Sequence, residues 1–250
     1  MMNCIKNKDL LSIKTLEGLP CGGNPPNYSF FCSQIMNTIK TINILDGNPL
    51  SIAILRMDEH QDYSLLIKDN KSIEDILNTE HKSHIRKQQL FAARYLLQEL
   101  TNDSKPYIIA YTDHGKPFIK DCPWEISVSH SGEFIALILS KDRKTGIDIE
   151  VLDPRIFRIE NKFLRTDEKE FIHPNHYLEQ LYIIWSTKEV LFKIYEKGGL
   201  IFKENLHVHP FDYTTKGSIS ADIIKDEYKK KFTVYYEKID NLILVYAVED

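Results

Sequence analysis

The chain contains 250 residues, of which 42% are hydrophobic and 27% are charged. This composition is ordinary for a globular protein and excludes a disordered tail or a fibrous repeat. The 32 lysines and arginines nearly balance the 36 aspartates and glutamates, and the formal net charge is −4. Because such a balance provides no overall field that would attract nucleic acid or an anionic membrane, binding of a highly charged ligand must depend on a local cluster.

The N-terminus and the cysteines indicate the cellular compartment. Charged side chains interrupt the apolar residues at the N-terminus, so we predict no signal peptide. Apolar runs such as Leu242–Val248 are far shorter than the roughly 18 residues that cross a bilayer. The cysteines include no C-x-x-C pair, and we expect reduced thiols rather than a disulfide framework. They are Cys4, Cys21, Cys32 and Cys122. We therefore expect a cytoplasmic protein with no membrane segment.

Residues 1–47 differ from the rest of the chain. Their periodicity is weak, and the glycines and prolines at 22–26 predict an N-terminal extension of irregular structure. A first strand is expected from about Ile52. Leucines and alanines at helical spacing predict a helix from about Glu74 to Leu100, which the segment Asn102–Pro106 would end.

Short strands and a second helical region follow. Strands bounded by polar turns are expected at 107–111, 125–129, 134–140 and 146–151. Thr166 is a suitable N-cap for a helical region that Pro174 interrupts. A long helix is then predicted from about Tyr177 to Tyr195, with Gly198 and Gly199 as its C-terminal signal. Three further strands are expected near 201–208, 232–239 and 242–248.

The strand at 146–151 carries two acidic residues on one face. Residues two apart on a strand lie on the same side, about 6.6 Å from each other, so Asp148 and Glu150 could converge on one divalent cation. Carboxylate oxygens suit Mg²⁺, which commonly completes its shell with water and phosphate oxygens. The alternative is that these charges simply face solvent, as they do on many half-buried strands.

The long helix places Glu189 and Lys193 one turn apart on the same face. Such a pair alone is usually an exposed ion pair, but Trp185, Lys188 and Lys197 lie within two turns of it. A carboxylate among several ammonium groups is also typical of a site that binds a metal together with phosphate.

Three further segments are ambiguous when each is taken alone. His130, in Ser-His-Ser-Gly, could be a turn residue or a ligand-binding residue, and the chain lacks a G-x-S-x-G nucleophile motif around it. Gly115, Lys116 and Pro117 form a typical turn sequence. The basic segment 81–87 could bind phosphate or could be a solvated helix face.

In this order and combination the motifs resemble those of the Sfp-type 4'-phosphopantetheinyl transferase family. The resemblance runs from about Asn48 to the C-terminus. It depends on Gly-Ile-Asp-Ile-Glu at 146–150 and on Trp-x-x-Lys-Glu-x-x-x-Lys at 185–193, which follow Ser-His-Ser at 129–131. One departure is Val190, where the family usually has alanine or serine; we do not expect it to abolish activity.

The resemblance implies an α+β fold of two similar lobes, related by pseudo-two-fold symmetry, with coenzyme A in the cleft between them. The expected organisation is an extension at 1–47, an N-terminal lobe at 48–152 and a C-terminal lobe at 153–250. The implied reaction transfers the 4'-phosphopantetheine group from coenzyme A to a serine hydroxyl of an apo acyl, polyketide or peptidyl carrier protein and releases 3',5'-ADP. We expect a Mg²⁺-dependent monomer that binds neither nucleic acid nor membrane.

The resemblance also implies roles for individual residues. The implied Mg²⁺ ligands are Asp148, Glu150 and Glu189. The implied catalytic residues are Asp148, Glu189 and Lys193, with Glu189, directly or through a metal-bound water, accepting the serine proton. The implied coenzyme A contacts are Arg86, Arg94, Lys116, Pro117, Ser129, His130, Lys188 and Lys193. Arg86 and Arg94 would complete the 3'-phosphate pocket.

Two other functions remain open at this point. A non-catalytic module that binds coenzyme A or a carrier protein could retain the same fold, although the chain keeps the residues whose loss would mark such a protein. A Mg²⁺-dependent phosphohydrolase could use the same carboxylates, but we expect no additional clusters of aspartate or histidine in the chain, which argues against it. The sequence does not identify the carrier protein.

Overall fold

A computed structural model of the chain describes residues 38–45, 49–68, 70–78, 82–101 and 107–249. The strands are β1 (Thr38–Leu45), β2 (Pro49–Arg56), β3 (Ile109–Tyr111), β4 (Pro117–Ile119), β5 (Trp124–Ser131), β6 (Phe134–Lys141), β7 (Thr145–Val151), β8 (Leu206–Val208), β9 (Lys216–Lys225), β10 (Tyr228–Ile239) and β11 (Leu242–Val248). The α-helices are α1 (Asn70–Leu77), α2 (His84–Thr101), α3 (Glu160–Phe163), α4 (Thr166–Glu170), α5 (Tyr177–Tyr195) and α6 (Phe202–Asn205). Short 3-10 turns lie at Tyr63–Leu66, Pro154–Arg158 and Pro174–His176.

Most of the strands form two antiparallel sheets. The first has the order β1-β2-β6-β5, and the second has the order β7-β11-β10-β9-β8, which leaves β7 and β8 at its edges. β3 and β4 pair as a separate hairpin. The protein is therefore a mixed fold of helices and antiparallel strands. The two-fold relation between lobes stays a prediction.

Hydrophobic cores cover both faces of each sheet. Helix α2 packs on one face of the first sheet, and α5 packs on one face of the second. A third core lies between the sheets and contains Ile52, Ile138, Ile147 and Leu244. Because β6 and β11 are buried on both faces, their sequences are continuous apolar runs rather than alternating patterns.

The structure confirms the predicted bounds of the long helix and of the last strand. The helix expected between Glu74 and Leu100 is instead two helices, α1 and α2. The strand expected at 201–208 is wrong over most of its length, because 202–205 is the helical turn α6 and only 206–208 pairs with β9. Strand β9 was not predicted, and Thr166 is the first residue of α4 rather than its N-cap.

Several predictions concern residues at the edge of the described ranges. Residues 38–45, assigned above to the extension, form β1 and pair with β2. The cysteines at 4, 21 and 32 and the segment Asn102–Pro106 lie outside the described residues. Within the described residues, no helix is both long enough and apolar enough to cross a membrane.

The end of α5 differs from the prediction in its capping residue. Glu196 directly follows the helix and adopts the left-handed conformation with a φ of 61°. This conformation is unfavourable for a residue with a Cβ. Its carboxylate accepts hydrogen bonds from Lys144, at 3.0 Å, and from Lys116. These two lysines hold the Glu196 side chain beside the end of α5.

Strand β7 and helix α5 approach each other most closely at Gly146. A Cβ at this position would lie 2.6 Å from the backbone oxygen of Val190 and 3.1 Å from side-chain carbons of Val190 and Ile194. Such a distance to a backbone oxygen is not tolerated without movement of the helix. Glycine at the start of Gly-Ile-Asp-Ile-Glu therefore sets the spacing between the strand and the helix.

Replacing this glycine tests the spacing. We expect Gly146→Ala to lower the free energy of unfolding by about 1–3 kcal/mol, because the added carbon overpacks a rigid contact. Chemical denaturation measures this change. Gly217→Ala is the matched control: its Cβ would meet side-chain hydroxyl oxygens of Tyr236 and Thr214 at 3.0 and 3.1 Å rather than a backbone atom, and should destabilise the protein less. Equal losses for the two variants would contradict the interpretation.

Candidate active site

Acidic and basic side chains from β7 and α5 meet in one cavity of about 340 Å³. Alternation along β7 directs Ile147 and Ile149 into the core between the sheets, so Asp148 and Glu150 face α5. Glu189 and Lys193 lie on the facing side of α5 and line the same cavity. The predicted site residues that line it are Arg86, Pro117, Ser129, His130, Asp148, Glu150, Glu189 and Lys193.

Asp148 is the most buried acidic side chain of this cavity, with 5% of its side chain exposed. Its Oδ1 accepts hydrogen bonds from Ser129 Oγ at 2.7 Å and from Lys193 Nζ at 2.9 Å. Lys193 also donates to the backbone oxygen of Ile147 at 2.7 Å. Among the described residues, the other oxygen of Asp148, Oδ2, is buried and accepts no hydrogen bond. A buried carboxylate oxygen with a free lone pair is suited to a cation or a donor from a ligand.

Glu150 is held in place by two donors. Ser131 Oγ donates to it at 2.6 Å, and the indole Nε1 of Trp185 donates at 3.2 Å. Burial and the nearby Asp148 carboxylate raise the pKa of Glu150, and the two hydrogen bonds oppose this rise. Trp185 and Ser131 were not among the predicted site residues. The signal available in the sequence was the position of Trp185, one turn before Glu189 on the same helix face.

The remaining charged groups around the cavity influence one another. Burial, together with the carboxylate of Asp148, raises the pKa of Glu189 to about 7. Burial, together with the charges of Arg86 and Lys193, lowers the pKa of His130. The guanidinium of Arg86 contacts the His130 ring nitrogen Nε2. The cavity therefore combines Glu189, a carboxylate that can accept a proton near neutral pH, with basic side chains from α2 and α5.

Serines of β5 connect the two sheets beside this cavity. We call Ser127, Ser129 and Ser131 the serine bridge. Being two residues apart, they share one side of β5. Ser127 Oγ accepts a hydrogen bond from the backbone N–H of Ile147 at 3.2 Å, and Ser131 Oγ accepts one from the backbone N–H of Val151 at 3.1 Å. Ser129 donates to Asp148. The bridge explains why Ser-His-Ser precedes the acidic strand: the serines position the carboxylates.

Comparison with known proteins agrees with this geometry. The family model of the 4'-phosphopantetheinyl transferase superfamily matches residues 144–247, which include β7 and α5. The matched segment is 104 residues long, less than half of the chain. The motif Gly-Ile-Asp-Ile-Glu and the motif from Trp185 to Lys193 both lie inside the matched segment.

Curated relatives extend the similarity. The 4'-phosphopantetheinyl transferase AcpT of Escherichia coli (strain K12) is 36% identical over 120 residues, which are 46% of this chain and 60% of the relative. The protein of the same name from Salmonella typhimurium is 30% identical over 131 residues, or 50% of this chain and 66% of the relative. A 4'-phosphopantetheinyl transferase of Bacillus subtilis is 32% identical over 90 residues, or 34% of this chain and 40% of the relative. The chain thus spans less than two thirds of the length of these superfamily members.

Lys116 lies at a second cavity, of about 360 Å³, that shares Pro117, Glu189 and Lys193 with the first. Its ammonium group donates to Glu125 at 2.9 Å and contacts the carboxylate of Glu196. A phosphate at this position would therefore compete with two carboxylates for the ammonium group.

The structure does not bring Lys188 to either cavity. Although this lysine lies inside the segment that matches the family model, its side chain is fully buried on another face of α5. Its ammonium group donates to Glu168 at 2.6 Å and to the backbone oxygens of Phe163 at 2.7 Å and Phe202 at 3.4 Å. Burial lowers its pKa to about 8, against the opposing effect of Glu168. Lys188 therefore stabilises the packing around α5 in this structure.

Arg94 is also separate from the cavity. Its guanidinium group donates to the backbone oxygens of Leu90 and Ile109, both at 3.0 Å. These bonds attach α2 to β3. Of the two predicted arginines, only Arg86 lines the cavity.

A comparison of two lysine–glutamate pairs tests the structural role of Lys188. We expect Lys188→Ala to lower the free energy of unfolding by about 3–5 kcal/mol, because it leaves Glu168 buried without its partner. Lys169→Ala removes an exposed pair with Glu160 and should change stability by less than about 1 kcal/mol. Chemical denaturation provides the measurement. Unchanged stability of Lys188→Ala together with weaker coenzyme A binding would instead support the predicted ligand contact.

Proposed function

We propose that this chain transfers the 4'-phosphopantetheinyl group from coenzyme A to a serine hydroxyl of an apo carrier protein and releases 3',5'-ADP. The observation that carries the proposal is the joint placement of Asp148, Glu150, Glu189 and Lys193 around one cavity, with a buried Asp148 oxygen available to a ligand. The match of residues 144–247 to the superfamily model supports the same reaction.

The acidic residues are chemically suited to Mg²⁺. Asp148, Glu150 and Glu189 provide only oxygen donors, which this ion prefers, and Asp148 Oδ2 has a free lone pair. The raised pKa values of Glu150 and Glu189 reflect carboxylates buried near one another, and a cation would relieve this repulsion. When bound, Mg²⁺ would neutralise negative charge on the pyrophosphate of coenzyme A. We propose these three residues as its ligands.

Basic side chains around the cavity would bind the phosphates. Coenzyme A carries a pyrophosphate and a 3'-phosphate, and charge-assisted hydrogen bonds from arginine and lysine suit both groups. Lys193 lies beside Asp148 and would bind the pyrophosphate. Arg86 and His130, in contact with each other, would bind the 3'-phosphate. His130, with its lowered pKa, would act there as a hydrogen-bond donor rather than as a permanent charge.

The transfer step requires a base and a stabilised leaving group. Glu189 would accept the proton of the carrier serine as the serine oxygen forms a bond to the β-phosphorus. The bond between that phosphorus and the bridging oxygen breaks, and its electrons leave with 3',5'-ADP. Lys193 would donate to the departing phosphate and stabilise its charge. Glu189 lines the cavity one helical turn from Lys193, which places the proposed base next to the proposed donor to the leaving group.

A transfer assay tests the proposed reaction. With Mg²⁺ and coenzyme A, we expect the chain to add the mass of one phosphopantetheinyl group to an apo acyl or peptidyl carrier protein. Asp148→Asn and Glu189→Gln should lower the rate about 100-fold or more, because each removes a ligand or the base. Intact-protein mass spectrometry measures the product.

Glu160→Gln is the matched control for this assay, since it removes a carboxylate that pairs with Lys169 outside the cavity. This variant should retain activity close to that of the unchanged chain. Full activity of Asp148→Asn, or inactivity of the unchanged chain on both acyl and peptidyl carriers, would overturn the proposal.

Dephospho-coenzyme A tests the role of Arg86, because it lacks the 3'-phosphate. We expect the unchanged chain to prefer coenzyme A by about tenfold or more in kcat/KM, as a charge-assisted hydrogen bond is lost with the phosphate. Arg86→Ala should reduce this preference mainly by raising KM for coenzyme A. Arg155→Ala, which changes an exposed arginine paired with Asp153, should keep it. An unchanged preference in Arg86→Ala would exclude this residue from the 3'-phosphate site.

A further inference from the structure

Two histidines project from the edge of the second sheet, on the side away from its core. His207 lies on β8 and His209 follows it by two residues, so both lie on the same side of the chain. The residues that alternate with them, Leu206 and Val208, are fully buried in the core. His209 continues the pairing of β8 with β9 through its backbone N–H, which donates to Ser220 at 2.9 Å. Both histidines therefore have a fixed backbone.

Asp222 on β9 completes a compact group with these histidines. It lies directly opposite His207 in the strand register. Its Oδ2 is 2.8 Å from His209 Nε2, and the two imidazole rings have centroids 4.9 Å apart. Among the described residues, His207, His209 and Asp222 form the group of three whose potential ligand atoms all lie within 4.8 Å of one another. We call them the histidine cluster; the expectation from the sequence that the chain has no additional cluster of aspartate or histidine was wrong, because β8 and β9 bring these residues together.

A second carboxylate borders the histidine cluster. Asp167, in the first turn of α4, places its Oδ2 3.2 Å from His207 Nε2. Its Oδ1 accepts a hydrogen bond from Arg165 Nε at 3.0 Å. Two carboxylates thus face two imidazoles, and Arg165 is the cation that pairs with the outer carboxylate. Partners of this kind fix the ring orientation of metal-binding histidines in many sites.

We propose that His207, His209 and Asp222 bind a zinc ion, with Asp167 orienting His207. Two imidazole nitrogens and one carboxylate oxygen are a common ligand set for Zn²⁺, whereas Mg²⁺ prefers sites of oxygen atoms alone. Water would occupy the remaining coordination position. The side chains are accessible to an entering ion, since 27% of His207, 33% of His209 and 21% of Asp222 is exposed. This site is distinct from the acidic residues of β7 and α5.

Zinc at the histidine cluster would stabilise the edge of the second sheet. It would connect β8 to β9 by bonds that exist only in the folded chain, so binding would raise the unfolding temperature. Between the two histidines, the backbone N–H of Val208 donates to Glu168 at 2.9 Å, and Glu168 is the partner of Lys188. The ion would therefore hold β8 in place, and β8 provides the Val208 hydrogen bond to Glu168 in the buried pair of Glu168 and Lys188.

Metal titration of the full, tag-free chain tests the proposal. The protein carries Asp148→Asn and Glu189→Gln, so that two of the three acidic residues that could compete for zinc in the cavity are removed. We expect isothermal titration with zinc chloride to give one site per chain and zinc to raise the unfolding temperature. Cobalt(II), used as a spectroscopic probe, should give the visible absorption of a four-coordinate site. His207→Ala and Asp222→Asn should each weaken zinc binding about tenfold or more.

Matched controls show whether zinc binds at the histidine cluster or to surface histidines in general. His173→Ala changes a histidine of another surface pair, whose rings are 5.8 Å apart, and should leave zinc affinity and the zinc-dependent temperature rise unchanged. Asp222→Asn preserves the shape of the side chain, and its unfolding without zinc shows whether the variant is folded. Failure of zinc to bind the parent protein, or equal affinity in His207→Ala and the parent, would show that the cluster is only a cross-strand hydrogen-bonded group.

Discussion

Strand β7 is packed on both of its faces, and the candidate site depends on this arrangement. Ile147 and Ile149 lie in the core between the two sheets, which fixes the opposite face of the strand toward α5. Gly146 allows the helix to approach closely enough to exclude water from Asp148. Because desolvation disfavours charge, the same packing raises the pKa of Glu150 and Glu189 and leaves their carboxylates suited to a cation or a proton. The chemical character of the cavity is thus a product of backbone packing.

Neighbouring residues of α5 have different roles because their side chains point to different sides of the helix. Trp185, Glu189 and Lys193 are spaced by four and share one face, which lines the cavity. Lys188 is offset from Glu189 by about 100° around the helix, and it forms a buried pair with Glu168 on a different side. One motif therefore contains both a reactive face and a structural ion pair. The near-zero net charge of the chain conceals this separation of charges.

Local pattern was sufficient to predict some elements but not others. The bounds of α5 followed from its position between Pro174 and Gly198, those of β11 followed from a continuous apolar run, and the alternation in β7 predicted which residues share a face. Strand β9 has a weaker pattern and is ordered by pairing with β10 on one side and β8 on the other. The serine bridge and the contact of Arg94 with β3 depend on segments distant in sequence. Periodicity carries no information about such partners, so Arg86 and Arg94 were indistinguishable as phosphate ligands.

Stability and reactivity are coupled through the side of α5 that faces away from the cavity. The carboxylate of Glu168 accepts hydrogen bonds from Lys188, from the backbone of Arg165 and from the backbone of Val208. This one buried group therefore joins α4, α5 and the edge strand β8. Glu189 directly follows Lys188 in the chain. A shift in the hydrogen bonds of Glu168 would therefore move the segment of α5 that carries the proposed base. A residue with no contact to substrate can thereby influence the geometry of the reaction, and the edge of the second sheet becomes part of what holds the site in place.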